Sequence, residues 1–168
     1  MNKTDLRYRK TETAIKQAYF ALKKKNSPTV SVKELCDVAM INKTTFYSHY
    51  DTMDSLRNAV CTDFIMDLLS QCEKMDVLMS APRDFIVSIY HLFSGNIMTI
   101  EQLYGADFNK LVNDVENMMI NHFVPTDMDD ETKMTVRFCI GGAFRLLSYE
   151  ADPARMQKAV ELIEKILA

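Results

Sequence analysis

Turn-forming residues are scarce in this chain: four Gly and four Pro occur among 168 residues. β-Branched runs are short as well, so the strand-and-turn pattern of an all-β fold is missing. No apolar run approaches the ~20 residues of a membrane-spanning helix, and no membrane partner is expected. The opening MNKTDLRYRKTETAIKQ has no apolar core and no small-residue cleavage site, so it does not read as a secretory signal. The four cysteines, Cys36, Cys61, Cys72 and Cys139, make no CxxC pair and no metal-like cluster. They read as reduced and mostly buried, as in a cytoplasmic protein, with a redox-sensing role for one of them left open. His49, His91 and His122 stand alone, without ligand spacing. Asp127, Asp129, Asp130 and Glu131 resemble part of a calcium loop but lack its glycine and its distant bidentate Glu. They read as a solvated helix start. Nucleophile elbow, P-loop, HExxH and Gly-rich loop after a strand are all missing. No enzyme, metal site or cofactor is expected.

What is present is helical spacing and an uneven charge. Residues 1–57 carry eleven Lys/Arg against six Asp/Glu, a net of +5. Residues 58–168 carry nine against seventeen, a net of −8. An acidic protein with a basic first third suggests a polyanionic partner that meets only that third. The spacing predicts an all-α fold of about nine helices. The first covers about 7–25, with Ala14, Ile15, Ala18, Tyr19 and Leu22 as its apolar stripe. Ser31-Val32-Lys33-Glu34 is a capping-box pattern that opens a second helix, whose inner face is Val32, Leu35, Cys36 and Ala39. Met40 and Ile41 make a turn, and Asn42 caps a third helix, about 43–49. Asp51 or Thr52 caps a fourth, to about Met75. Further helices are expected at about 82–93, 97–103, 106–123, 131–149 and 153–167, with Pro82 at a first turn.

Two short helices joined by a tight turn, with a third helix before them, predict a helix-turn-helix, whose second helix enters the DNA major groove. Phe46 is the large apolar residue inside the third helix and must face the core. A rotation of ~100° per residue then puts Thr44 and Ser48 on the far side, flanked by Lys43 and Tyr47, with His49 at the edge. Short hydroxyls and a Lys suit bases or phosphates, and Tyr47 and His49 suit phosphate oxygens. Lys33 and the capped start of the second helix at Ser31 are placed for a phosphate. Ser31, Lys33, Lys43, Thr44, Thr45, Tyr47, Ser48 and His49 are therefore the candidate DNA-binding residues. The plainer possibility is a solvated face beside an ordinary helical hairpin.

The stretch VKELCDVAMINKTTFYSHYDTMDSL resembles the DNA-binding domain of the TetR/AcrR transcriptional regulators, roughly I-A-x-x-A-G-V-S-x-x-T-F-Y-x-H-F-x-x-K-x-x-L. It matches at Ala39, Thr45, Phe46, Tyr47, His49, the aromatic Tyr50 and Leu56, and Ile41 and Asn42 are common variants. The likeness covers about residues 8–60; beyond them only the helical outline and length agree. Two departures stand out. Met40 replaces the turn glycine, which implies strain of ~1 kcal/mol or a different turn. Met53 replaces a Lys that commonly meets a phosphate in the family, and one lost contact would flatten the salt dependence by about one unit.

The resemblance implies a DNA-binding domain over 1–52 and a helical regulatory and dimerisation domain over 53–168. It implies a cytoplasmic, sequence-specific regulator on a palindromic operator, expected to be a repressor released by a small apolar or aromatic effector. A TetR-like protein that acts through protein contacts, with DNA binding weakened or lost, is the alternative. Gly141-Gly142-Ala143 inside a helix points to close helix approach, within the chain or to a second copy. Ala159, Leu162, Ile163, Ile166 and Leu167 give the last helix one apolar side, so a homodimer through about 131–149 and 153–167 is expected. The tail LLSYEADPARMQKAVELIEKIL resembles a family subgroup with a compact, Firmicutes-type C-terminal domain. Phe64, Tyr90, Phe93, Met98, Tyr104, Phe108, Met118, Met119, Phe138 and Phe144 could line an effector pocket, with His91, Arg137 and Arg145 as orienting groups. Core filling is the commoner role of such residues.

Overall fold

Pro82 opens one helix and Gly95 ends it, Gly105 stands at the end of another, and Gly141 and Gly142 lie inside a third. The computed structural model describes residues 5–25, 29–72, 81–105, 107–122 and 127–147, with single positions 154, 157, 158, 161, 162 and 165. In chain order the elements are α1 (Leu6–Lys24), α2 (Val32–Ala39), α3 (Lys43–His49), α4 (Met53–Ser70), α5 (Pro82–Gly95), α6 (Ile97–Tyr104), α7 (Phe108–His122) and α8 (Asp130–Leu147). No strand occurs among the described residues, so the fold is all-α. Of the expected ninth helix, 153–167, only single positions are described, and these are helical. No helix among the described residues is long and apolar enough to cross a membrane.

Local chemistry sets most boundaries. Asp5 caps α1 by accepting from the Arg7 amide at 2.9 Å, and Lys23 and Lys24 in its last turn suit the helix dipole. Thr52 caps α4: its hydroxyl oxygen accepts from the Ser55 amide at 3.0 Å, and the Ser55 hydroxyl accepts from the Thr52 amide at 3.1 Å. The expected extension of α4 to about Met75 is corrected, because the helix ends at Ser70. There the Ser70 hydroxyl and the Gln71 side-chain amide both donate to the Asp67 carbonyl, at 2.7 and 3.1 Å. The Gln71 and Cys72 amides fall back on carbonyls three residues earlier, which closes the helix in a tighter turn. Gly105, at φ +59°, ends α6 in the left-handed region that favours glycine.

The chain divides into two compact units, residues 1–63 with 98–105 and residues 64–97 with 106–168. In the first, α1 packs on α2 and α2 on α3. Ile15, Tyr19, Leu35, Phe46, Leu56 and Leu103 are among its buried side chains. A polar chain ties its elements together. The Tyr50 hydroxyl donates to Glu12 at 3.2 Å, and Lys16 of α1 pairs with Glu12 at 3.6 Å and with Asp63 of α4 at 2.6 Å. Burial and the adjacent Glu12 push the Tyr50 hydroxyl far above the usual phenol range, so it stays a donor. In the second unit α7 packs on α8, and Phe85, Ile89, Val115, Met119 and Ile140 are buried. A Cβ on Gly141 would stand 2.6 Å from the Glu116 carboxylate of α7, the far end of a flexible side chain that can shift aside. A Cβ on Gly142 would meet nothing within 4 Å.

Candidate functional site

The candidate site is the α2–α3 pair, and three caps shape it. At the start of α2 the Ser31 hydroxyl oxygen accepts from the Glu34 amide at 3.2 Å, while the Glu34 carboxylate accepts from the Ser31 amide at 3.0 Å. The Ser31 hydroxyl also donates to that carboxylate at 2.7 Å. These bonds favour the ionised acid and hold the Glu34 pKa below its ordinary value. At the end of α2 the chain turns through Met40, at φ 53° and ψ 44°. The Ile41 amide donates to the Cys36 carbonyl at 3.0 Å and the Met40 amide to the Asp37 carbonyl at 3.4 Å. That pair of bonds is a Schellman closure, with Met in the position glycine usually holds. Of the two possibilities raised by the missing glycine, the turn keeps its geometry and takes the strain. Asn42 then caps α3 by accepting from the Thr45 amide at 2.8 Å.

Phe46 is fully buried, which fixes the rotation of α3. Lys43, Thr44 and Ser48 are exposed, and Tyr47 is 53% exposed. The side chains of Lys43, Thr44 and Tyr47 make no hydrogen bond or salt bridge among the described residues. The Ser48 hydroxyl donates back to the Thr45 carbonyl at 2.7 Å. Thr45 is half-buried and its hydroxyl donates to Asn42 at 3.0 Å, so it serves the cap. Lys33 is exposed on α2, and Ser31 is exposed but occupied by its cap. His49 differs most from the simple face. It is half-buried, and its ring stacks on Tyr8 of α1 with centroids 3.9 Å apart and planes at 25°. Its Nδ1 is buried with no hydrogen-bond partner among the described residues. Burial lowers the His49 pKa, and the negative charge of Glu12 opposes this in part. The ring is therefore held neutral where a phosphate contact would favour the cation. Nothing near His49 in sequence announces Tyr8, 41 positions earlier; the stack is a contact between elements.

The candidate effector residues are divided between the two units. Met98 and Tyr104 belong to the first unit, and Phe64, Tyr90, His91, Phe93, Phe108, Met119, Phe138 and Arg145 to the second. Tyr104, Phe93 and Met119 are buried, and Phe64 and Tyr90 are half-buried. His91 is exposed, its ring edge-on to Tyr90 at 5.6 Å. Met98 is 72% and Phe138 67% exposed, so both lie on the surface. The side chains of Phe108, Phe144 and Arg145 lie outside the described residues. Asp127, Asp129, Asp130 and Glu131 are all exposed around the start of α8. Cys36 and Cys61 are buried thiols and Cys72 is half-buried; burial and Asp37 raise the Cys36 pKa against the pull of Lys43.

Compared with known proteins, the chain matches no family model, no curated protein and no solved structure.

Proposed function

We propose that residues 1–52 form a helix-turn-helix DNA-binding domain and that the protein is a dimeric, sequence-specific transcriptional regulator of the TetR type. One observation carries this reading: the exposed Lys43, Thr44, Tyr47 and Ser48 lie on one capped helix whose opposite side is anchored by the fully buried Phe46. A helix so fixed presents donors and acceptors at set positions, as base-edge and phosphate contacts require. The net +5 over residues 1–57 supplies the sequence-independent attraction. His49 supports the fit of α3 to α1, and Tyr47 is left as the aromatic that can reach a phosphate. Repression, and release by a small effector, come from the family resemblance.

A homodimer is supported by α8. Met134 and Phe138, one turn apart, are 70% and 67% exposed, and Gly142 continues the same row with open space above it. Leu162, in the segment of the last helix, is exposed as well. Such a face suits a self-complementary contact about a two-fold axis, which would set two reading helices on a palindromic operator.

The test is binding of the purified protein to the DNA upstream of its own gene, titrated in salt. A footprint on an inverted repeat, with affinity falling steeply as salt rises, is expected. Tyr47→Ala should weaken that binding about tenfold or more. Weak, sequence-blind binding unaffected by Tyr47→Ala would refute the reading. A second reading, action through a protein partner, is favoured by the apolar Met40 and Val38, both exposed at the turn. In that case Met40→Lys would abolish partner capture and Tyr47→Ala would not.

A further inference from the structure

The first unit holds a cavity of about 410 Å³ between the end of α1, the segment before α2, the start of α4 and the end of α6. That volume lies within the ~300–1,000 Å³ of small-molecule sites. Its lining is divided in character. Leu103, Val30 and Met53 give apolar surface, and Tyr19 and Tyr104 give rings. Tyr19 is only 4% exposed, yet its hydroxyl makes no hydrogen bond among the described residues. That hydroxyl is available to donate to a group held in the cavity.

Two cations line the same cavity. Lys23 comes from the last turn of α1 and Arg57 from the first turns of α4, and both are half-buried. Neither makes a salt bridge among the described residues. Asp54 also lines the cavity, which leaves a net charge of +1. Both charges are open to an anion in the cavity, with Asp54 opposing them in part.

We propose that this cavity binds a small aromatic anion, a carboxylate or phosphate carried on an apolar ring. Lys23 and Arg57 hold the anionic group, Tyr19 donates a hydrogen bond to it, and the ring lies against Leu103, Val30 and Met53. A planar guanidinium suits either anion through two parallel bonds. The site requires nothing of the DNA reading and stands or falls without it.

Met53 supplies the probe. In protein labelled with 13C at the methionine methyls, the Met53 signal is identified by its loss in Met53→Leu. Benzoate, phenyl phosphate and the neutral benzamide are titrated separately. A saturable shift of the Met53 signal is expected with at least one anion and not with benzamide; which anion moves it distinguishes carboxylate from phosphate recognition. Lys23→Gln and Arg57→Gln should each weaken binding about tenfold, and Tyr19→Phe severalfold, with thermal melts unchanged. The wild-type titration keeps the test valid should a variant fold poorly. No saturable shift with either anion up to about 10 mM, an equal shift with benzamide, or full binding by both charge variants would overturn the proposal.

Discussion

Replacing Met40 by glycine should stabilise the protein, although it removes a large side chain. Met40 sits at φ 53°, where a Cβ crowds the following carbonyl. The left-handed conformation costs an ordinary L-residue about 1–2 kcal/mol. The side chain recovers almost nothing, since it is 92% exposed. Glycine relieves the strain but gives the unfolded chain more freedom, at a cost of about 0.4–1 kcal/mol. The net gain is about 0.5–1 kcal/mol, or a rise of ~2–4 °C in Tm for each kcal/mol at this chain length. The Schellman bonds from Ile41 to Cys36 and from Met40 to Asp37 involve only backbone and should survive. Urea denaturation followed by circular dichroism, at one protein concentration, measures the change. Met40→Asn should give a smaller gain, because Asn tolerates this region, and Met40→Val should lose stability, because a β-branched residue does not. A loss with glycine, or no difference between Asn and Val, would refute a left-handed residue at this turn.

Other perturbations address separate features. Ser31→Ala removes the hydroxyl side of the capping box and should cost about 1 kcal/mol in the same denaturation assay. His49 titrates below the ordinary imidazole range when folded, so its stabilising effect is complete above the unfolded pKa of ~6.5 and is lost as pH falls toward the folded value. His49→Phe keeps a ring against Tyr8 and should flatten the fall in urea midpoint between about pH 7 and about pH 5; an unchanged slope would exclude His49 as its source. Phe138→Glu should leave the fold within about 0.5 kcal/mol, since the side chain is exposed in the single chain. Light scattering should then show the mass falling from a dimer to the 19.3 kDa chain, and a persistent dimer would remove α8 from the interface.

The helix starts were legible because their causes are local. Ser31 with Glu34, Asn42 with Thr45, and Thr52 with Ser55 each satisfy orphan amides within three residues. Phe46 could be placed inward because α3 has no other large aliphatic or Phe side chain. What escaped the sequence reading depends on elements distant in the chain. His49 belongs to a stack with Tyr8, and Lys16 reaches Asp63, 47 residues on. The candidate effector residues were chosen for size and apolarity, properties that suit a core position as well as a cavity wall, so Met98 and Phe138 could not be recognised as surface residues. The cavity lined by Lys23 and Arg57 escaped for the same reason: only the folded chain brings the end of α1 to the start of α4.

The return of residues 98–105 to the first unit bears on how such a protein can be cut or recombined. Ile100, Leu103 and Tyr104 are buried, and the Tyr104 hydroxyl donates to the Cys61 carbonyl at 3.5 Å. A fragment ending at residue 63 would lack all three side chains and would bare the surface they cover. The N-terminal part is thus no interchangeable cassette, and a chimera that exchanges it must carry α6 along or match its apolar contacts. The backbone passes between the units three times, at 63/64, 97/98 and 105/106. A proteolytic nick at any one of these junctions gives two pieces that share a unit, so they should stay together as long as the packing inside that unit holds.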